Sequence, residues 1–147
     1  MPSTRLLPLT LNQRTSLVCV DTVRAVLGCD ADTVFARIES GELPYAFDVS
    51  TAGAAGRIRE WRVWRVAVEE PTAARAVPPA TAIAEIIGTE RELLRGDEVR
   101  QLLLVSRPHL HALWRADQLT GFLAGGAIRL HRAGLEKFLL ARLEAYA

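Results

Sequence analysis

The side chains best suited to chemistry in this chain are arginines and histidines at helical spacing. Arg107, His109, His111 and Arg115 fall within the single stretch RPHLHALWR. An arginine presents a planar fork that pairs with guanine O6/N7 or with two phosphate oxygens, and histidine donates to base edges or phosphates. Arg129 and Arg132 follow in RLHR, and Arg57, Arg59, Arg62 and Arg65 lie beside Trp61 and Trp64. An arginine-rich hairpin tip can enter a narrow minor groove, where negative potential is concentrated. The first cluster points to nucleic-acid contact; the second is equally read as tryptophans packed on a neighbouring domain or second subunit, with the arginines on a solvated strand face, and neither suggests covalent chemistry. The sequence has no Gly-rich phosphate loop, nucleophile elbow, HExxH or paired-carboxylate pattern, so neither an enzyme nor a cofactor is expected. His109, His111 and His131 are not read as a metal site. Residues two apart on a helix point to different sides, and no cysteine or carboxylate clusters with them.

Composition limits where such contacts can lie. With 147 residues, half of them apolar and 24% charged, the chain suffices for one ordinary domain or two very small ones. Eighteen cations against seventeen anions leave a net charge of +1, so any basic surface must be local. Seventeen of those cations are arginine; Lys137 is the only lysine. Cys19 and Cys29 make neither a disulfide framework nor a metal knuckle and read as small core residues. The first twenty residues lack a continuous apolar segment or a small-residue cleavage site, and no run approaches the ~18 apolar residues of a membrane span. A cytoplasmic protein with no membrane partner is expected.

The elements that must position these residues occur twice. EPTAARAVPPA, residues 70–80, holds Pro71, Pro78 and Pro79, which forbid a continuous helix and favour extended backbone; it reads as a linker over 71–80. At an offset of 76, DTVRAVLGCDADTVFARIESGEL aligns without a gap on DEVRQLLLVSRPHLHALWRADQL, and at an offset of 67 RVWRVAVE aligns on RLHRAGLE. The change of offset places nine extra residues in the first copy, in a stretch rich in small and turn-forming residues. Each copy reads as helix, turn, helix, hairpin, helix. Asp30 and Ser106 are expected to cap the second helices, Gly41 and Asp117 to end them in left-handed conformation, and Gly125-Gly126 to turn the second hairpin. The closing helix should bury Leu135, Phe138, Leu139 and Leu143. The fold class expected is α+β, mainly helical, with one unit over 1–70, an enlarged hairpin about 44–62, and a second unit over 81–147.

TVFARIESGELP in the first copy, and DEVRQLLLVS followed by RLHRAGLEKFL in the second, resemble the excisionase-like branch of the MerR-type winged-helix DNA-binding domains. The resemblance covers about residues 17–70 and 93–143. It implies two tandem winged helix-turn-helix units, with the second helix of each in the major groove of double-stranded DNA and the hairpin wing along the backbone or minor groove. It further implies an architectural or recombination directionality factor, or a transcriptional regulator of a mobile element, bacterial and nucleoid-associated when bound. A recombinase or a second copy would be its protein partner. Carried over by position, the DNA-binding residues are Arg107, His109, His111, Arg115, Arg129 and Arg132 in the second copy, with Thr33, Arg37, Arg57, Arg59 and Arg62 in the first. Nothing resembles the dimerising helix or effector domain of full-length sensors, so no small-molecule effector is expected.

Two departures shape that expectation. The family often places an arginine in the middle of the second helix, where both copies have alanine, Ala36 and Ala112. The second helix of the first copy also carries Asp30, Asp32 and Glu39 against Arg37 alone, and phosphate would repel that face. The expectation is therefore asymmetric: the second copy reads DNA, and the first contributes its wing or a protein-binding surface. The rival expectation keeps the scaffold as a protein-interaction module for a recombinase or replication protein, with minor DNA contact.

Overall fold

The computed structural model of the chain describes residues 15–51 and 59–143. It is α+β, with eight helices and two three-stranded antiparallel sheets among the described residues. The first half runs β1 (Leu17–Cys19), α1 (Val20–Leu27), α2 (Ala31–Ser40), β2 (Ala46–Asp48), β3 (Trp61–Trp64) and α3 (Arg65–Glu69). Two helices follow, α4 (Pro71–Arg75) and α5 (Pro79–Ile87). The second half repeats the series as β4 (Leu93–Arg95), α6 (Gly96–Leu103), α7 (Arg107–Arg115), β5 (Gly121–Ala124), β6 (Ala127–His131) and α8 (Arg132–Arg142).

The internal repeat seen in the sequence is also a repeat of hydrogen bonding. Strand orders are β1-β3-β2 and β4-β6-β5, each with the second hairpin strand in the centre. Leu17 pairs Trp64 and Cys19 pairs Arg62; at the same offsets Leu93 pairs His131 and Arg95 pairs Arg129. Phe47 pairs Arg62 as Phe122 pairs Arg129. The nine extra residues of the first half divide in two. Paired Asp48 and Trp61 are thirteen positions apart where Leu123 and Ile128 are five, which places eight residues in the hairpin tip. The ninth lies between Leu43 and Ala46, beside Tyr45, whose φ is 59°.

Local chemistry sets the helix limits. Asp30 accepts the Thr33 N–H at 2.8 Å and Ser106 accepts the His109 N–H at 3.2 Å, the two caps that the sequence predicts. Gly41 (φ 88°) and Asp117 (φ 62°) end α2 and α7 in the left-handed region. Gly125 and Gly126, at φ 62° and 86°, make the tight turn that a two-residue hairpin requires. The leading strands β1 and β4 were not among the expected elements. Three residues, LVC or LLR, are too short to show alternation, and they become strands because the central strand presents a free edge.

The interval 71–80 is not an extended linker. Pro71 and Pro79 each stand at the start of a short helix, where the missing N–H has no partner to lose, so α4 and α5 begin at the residues expected to break helices. Helix α5 buries Ala82, Ile83, Ile86 and Ile87, and the buried apolar residues of both halves form a single cluster. Trp61 and Trp64 belong to that core, with Trp64 edge-on to Tyr45 at 5.3 Å. The Tyr45 hydroxyl donates to the Val77 carbonyl. Arg142 donates to the carbonyls of Asp48 and Ser50 at 2.6 and 2.7 Å, and Leu143 forms a β-bridge to Phe47. Of the apolar residues expected in the closing helix, Leu135, Phe138 and Leu139 are buried there, whereas Leu143 lies just past its end.

Candidate nucleic-acid interface

In the second half, α6, α7 and the β5–β6 hairpin enclose a cleft of about 340 Å³. Its lining includes Arg95, Arg100, Arg107, Arg129 and His111, with Asp97 as the one carboxylate. Four guanidinium groups against one carboxylate give the cleft a strong local positive charge that the near-zero net charge conceals. Asp97 offsets part of it, as Glu98 does at 3.9 Å from the Arg95 Nε. The Asp97 Oδ1 lies 3.9 Å from both Arg100 Nε and Arg107 Nη2, beyond hydrogen-bond distance. Arg107 and Arg95 are largely exposed, their side chains 73% and 65% accessible. Arg107 opens α7 just after the Ser106 cap, so the positive end of the helix dipole adds to the side-chain charge. His111, one turn on, stands edge-on to Trp114 at 6.3 Å, and the Trp114 indole N–H donates to the Gly121 carbonyl at 3.3 Å.

The Glu98 carboxyl helps hold this corner. Burial pulls it upward, but the Arg95 N–H donated at 2.8 Å and the nearby Arg91 and Arg95 guanidiniums outweigh that and keep it below its ordinary value. The Asp30 cap is likewise lowered, by its hydrogen bonds with Thr33.

The predicted site residues separate into groups. Arg107, His111 and Arg129 come together in the cleft, and Arg115 is exposed at the other end of α7. His109 does not join them. Its ring turns towards the first half, with Nε2 donating to the Val49 carbonyl at 2.7 Å and Nδ1 3.4 Å from Glu60 Oε1; the side chain is 15% accessible. The two histidines point apart, as their spacing predicts. Arg132 was expected to present its head to phosphate from the wing. It is instead the first residue of α8, donating through Nε to the Thr89 carbonyl at 3.0 Å and forming an ion pair with Glu136. Arg62 is likewise turned inward. Its Nε and Nη2 donate to the carbonyls of Leu103 and Leu104, each at 2.9 Å, and its Nη1 to the Trp61 carbonyl at 2.9 Å. Burial lowers its pKa from the usual arginine value. Leu104, in left-handed conformation at φ 57°, leaves the carbonyls at the end of α6 without helical partners, and the fork of Arg62 fits them.

In the first half, Arg59 lies over the Trp61 ring at 5.5 Å. Thr33 is part of the α2 cap, Arg37 is half-buried, and Arg57 lies outside the described residues. Among the described residues the cationic cleft is not duplicated there. The positions of Arg95, Arg107 and His111 are taken by Cys19, Ala31 and Phe35, and that of Arg129 by the committed Arg62. Only Arg100 has a cationic counterpart still at a surface, Arg24, which pairs with Asp21 at 3.4 Å. Arg95 and Arg100 are cleft residues that the sequence reading passed over. Their signal was available: both adjoin or lie within α6, the short helix preceding α7, and Arg100 aligns with Arg24.

Among the described residues, no group of three or more His, Cys, Asp or Glu is placed to hold a metal ion, and no helix is long and apolar enough to cross a membrane. No protein-family model, curated protein or solved structure matches the chain.

Proposed function

We propose that this protein binds double-stranded DNA through two tandem winged helix-turn-helix units, without catalysis, as an architectural or recombination directionality factor or a transcriptional regulator of a mobile element. The observation that carries the reading is the convergence of Arg95, Arg100, Arg107, Arg129 and His111 on one concavity beside the start of α7 and the hairpin turn. Helix α7 then enters the major groove N-terminus first, with Arg107 and His111 nearest the bases, while Arg95 and Arg129 hold phosphate. The second half carries the DNA contact, because α2 presents Asp32 and Glu39 and has no arginine cleft beside it among the described residues. Two of the arginines first expected at DNA, Arg62 and Arg132, serve the fold in this scheme.

Mobility-shift titrations at two salt concentrations test it. Replacing Arg95, Arg107 and Arg129 together by alanine should weaken binding to every duplex and flatten the logarithmic salt slope by about 0.9 for each phosphate left without its cation. Unchanged affinity and slope in a folded triple variant would remove DNA binding at this cleft. The second reading, a winged-helix module for a protein partner such as a recombinase, draws on the exposed apolar side chains of the second hairpin, Phe122 and Leu123. Nucleic acid co-purifying with the protein and released by salt separates the two.

A further inference from the structure

The arginines of the chain differ in what their forks already hold. Arg62, Arg132 and Arg142 donate to backbone carbonyls at 3.0 Å or less. Of the four around the cleft, only Arg129 donates a hydrogen bond from its fork among the described residues, to the Ile128 carbonyl at 3.3 Å. The Arg100 Nε is buried without a hydrogen-bond partner, and the contacts of Arg95, Arg100 and Arg107 with Asp97 and Glu98 are all at 3.9 Å. Donors without acceptors therefore converge on one concavity of about 340 Å³.

Charge and shape narrow its occupant. Set against Asp97 and Glu98, the four guanidiniums leave two positive charges. A phosphomonoester near neutral pH carries about −1.5 to −2, whereas each phosphodiester of a DNA backbone carries one negative charge. The start of α7 adds little hydrogen bonding of its own: Pro108 has no N–H, and that of His109 is taken by Ser106 at 3.2 Å. The forks must hold the anion. The rest of the lining is uncharged, with Gly96, Leu110, Ala127 and Ile128 forming an apolar side beside the His111 ring. The volume is more than one phosphate group fills and stands at the lower end of the range for small organic ligands.

We infer that the cleft takes a nucleoside monophosphate, its phosphate on Arg95, Arg100 and Arg129 and its base against His111 and the apolar side, and that this ligand and duplex DNA exclude one another. Nucleotide binding stands independently of the proposed DNA binding; the exclusion rests on it, because ligand and duplex call on the same side chains. No separate effector domain is needed for such control. The same monoester chemistry occurs in a free nucleotide and at the 5′-phosphorylated end of a strand, and the test separates these sources.

Isothermal titration calorimetry of the full chain with adenosine monophosphate (AMP), inorganic phosphate and adenosine is run in low salt at about pH 7.5, where the monoester is largely dianionic. AMP should bind one to one and at least about tenfold more tightly than inorganic phosphate, and adenosine should give no saturable heat. Arg129→Ala should weaken AMP and inorganic phosphate together by about tenfold, the loss of one charge-assisted contact. His111→Ala should weaken AMP alone, and Arg24→Ala, at an exposed arginine of α1, should change neither. Circular dichroism checks folding; Arg95→Ala, at a side chain 65% accessible, replaces Arg129→Ala if that variant unfolds, and His111→Asn replaces His111→Ala. The inference is overturned by no saturable AMP binding, by AMP binding no tighter than inorganic phosphate, or by AMP affinity that His111→Ala leaves untouched. A loss in Arg24→Ala as large as in Arg129→Ala overturns it too. One duplex made with 5′-hydroxyl and with 5′-phosphate ends identifies the source. For a free nucleotide, both forms bind alike and AMP displaces both; for a strand end, the phosphorylated form binds more tightly and AMP removes the difference. Simultaneous binding of AMP and duplex overturns the exclusion. A chain that binds AMP and no duplex removes the proposed DNA binding and leaves the nucleotide site standing.

Discussion

Arg62 gives the sharpest test of the division between arginines that serve the fold and those proposed to face DNA. Arg62→Met retains most of the apolar stem and removes the fork. Three donated bonds of 2.9 Å disappear, of which those to Leu103 and Leu104 join the two halves and satisfy the end of α6. A hydrogen bond from a charged donor contributes about 1.5 kcal/mol at the low end of its range, so the two cross-half bonds are worth about 3 kcal/mol. Desolvation of the guanidinium, visible in its lowered pKa, opposes this, and the expected net loss is about 2–3 kcal/mol. For a chain of this length that corresponds to a fall in Tm of about 5–10 °C. Urea unfolding should show the loss as a lower midpoint with an unchanged slope. Arg62→Lys, a single point donor without the fork geometry, should recover less than half of it. The exposed Arg107→Ala serves as control and should stay within about 0.5 kcal/mol of wild type. At temperatures where Arg62→Met is folded, its salt slope for DNA should equal that of the wild type. A variant of wild-type stability with weakened DNA binding would refute this reasoning and return Arg62 to the proposed DNA surface.

Three other outcomes are expected. His109→Ala leaves the Val49 carbonyl without its 2.7 Å donor and should cost about 1–2 kcal/mol in urea unfolding, with no loss of DNA sequence preference; a relaxed preference at wild-type stability would place the ring on a base instead. Asp117→Gly relieves a left-handed backbone at an exposed position and should raise stability by about 0.5–1 kcal/mol, so a lower unfolding midpoint would contradict the helix-end geometry. The Glu98 carboxyl titrates below its ordinary value of 4.5, so its contribution is present above that pH and is lost as pH falls through the lowered value. Unfolding midpoints measured from about pH 5 to pH 3 should therefore fall, and less steeply in Glu98→Gln; parallel curves would show that the Arg91 and Arg95 charges do not stabilise it.

Much of the fold was legible in the sequence because its signals are local. Asp30, Ser106, Gly41, Asp117 and Gly125-Gly126 act on backbone groups within a few residues, so their roles follow from residue type and spacing, and the repeat made each reading available twice. The offset change bounded the insertion between Leu43 and Arg62, and the strand register showed it to be split in two. The destination of each arginine had no such local signal. Arg62 and Arg129 occupy the same register on equivalent central strands, yet one fork is spent on the end of α6 and the other lines a cleft. That difference depends on which half lies over which sheet, a contact between residues about forty positions apart with no periodic trace. Pro71 and Pro79 show the same limit: proline marks a break, but whether it ends a helix or begins one depends on the apolar residues after it, and Ile83, Ile86 and Ile87 had a core to enter. Residue types and spacings suffice for the repeated elements and their limits. Which cations remain at the surface is a property of the packed chain, because burial and orphan carbonyls arise when the halves meet.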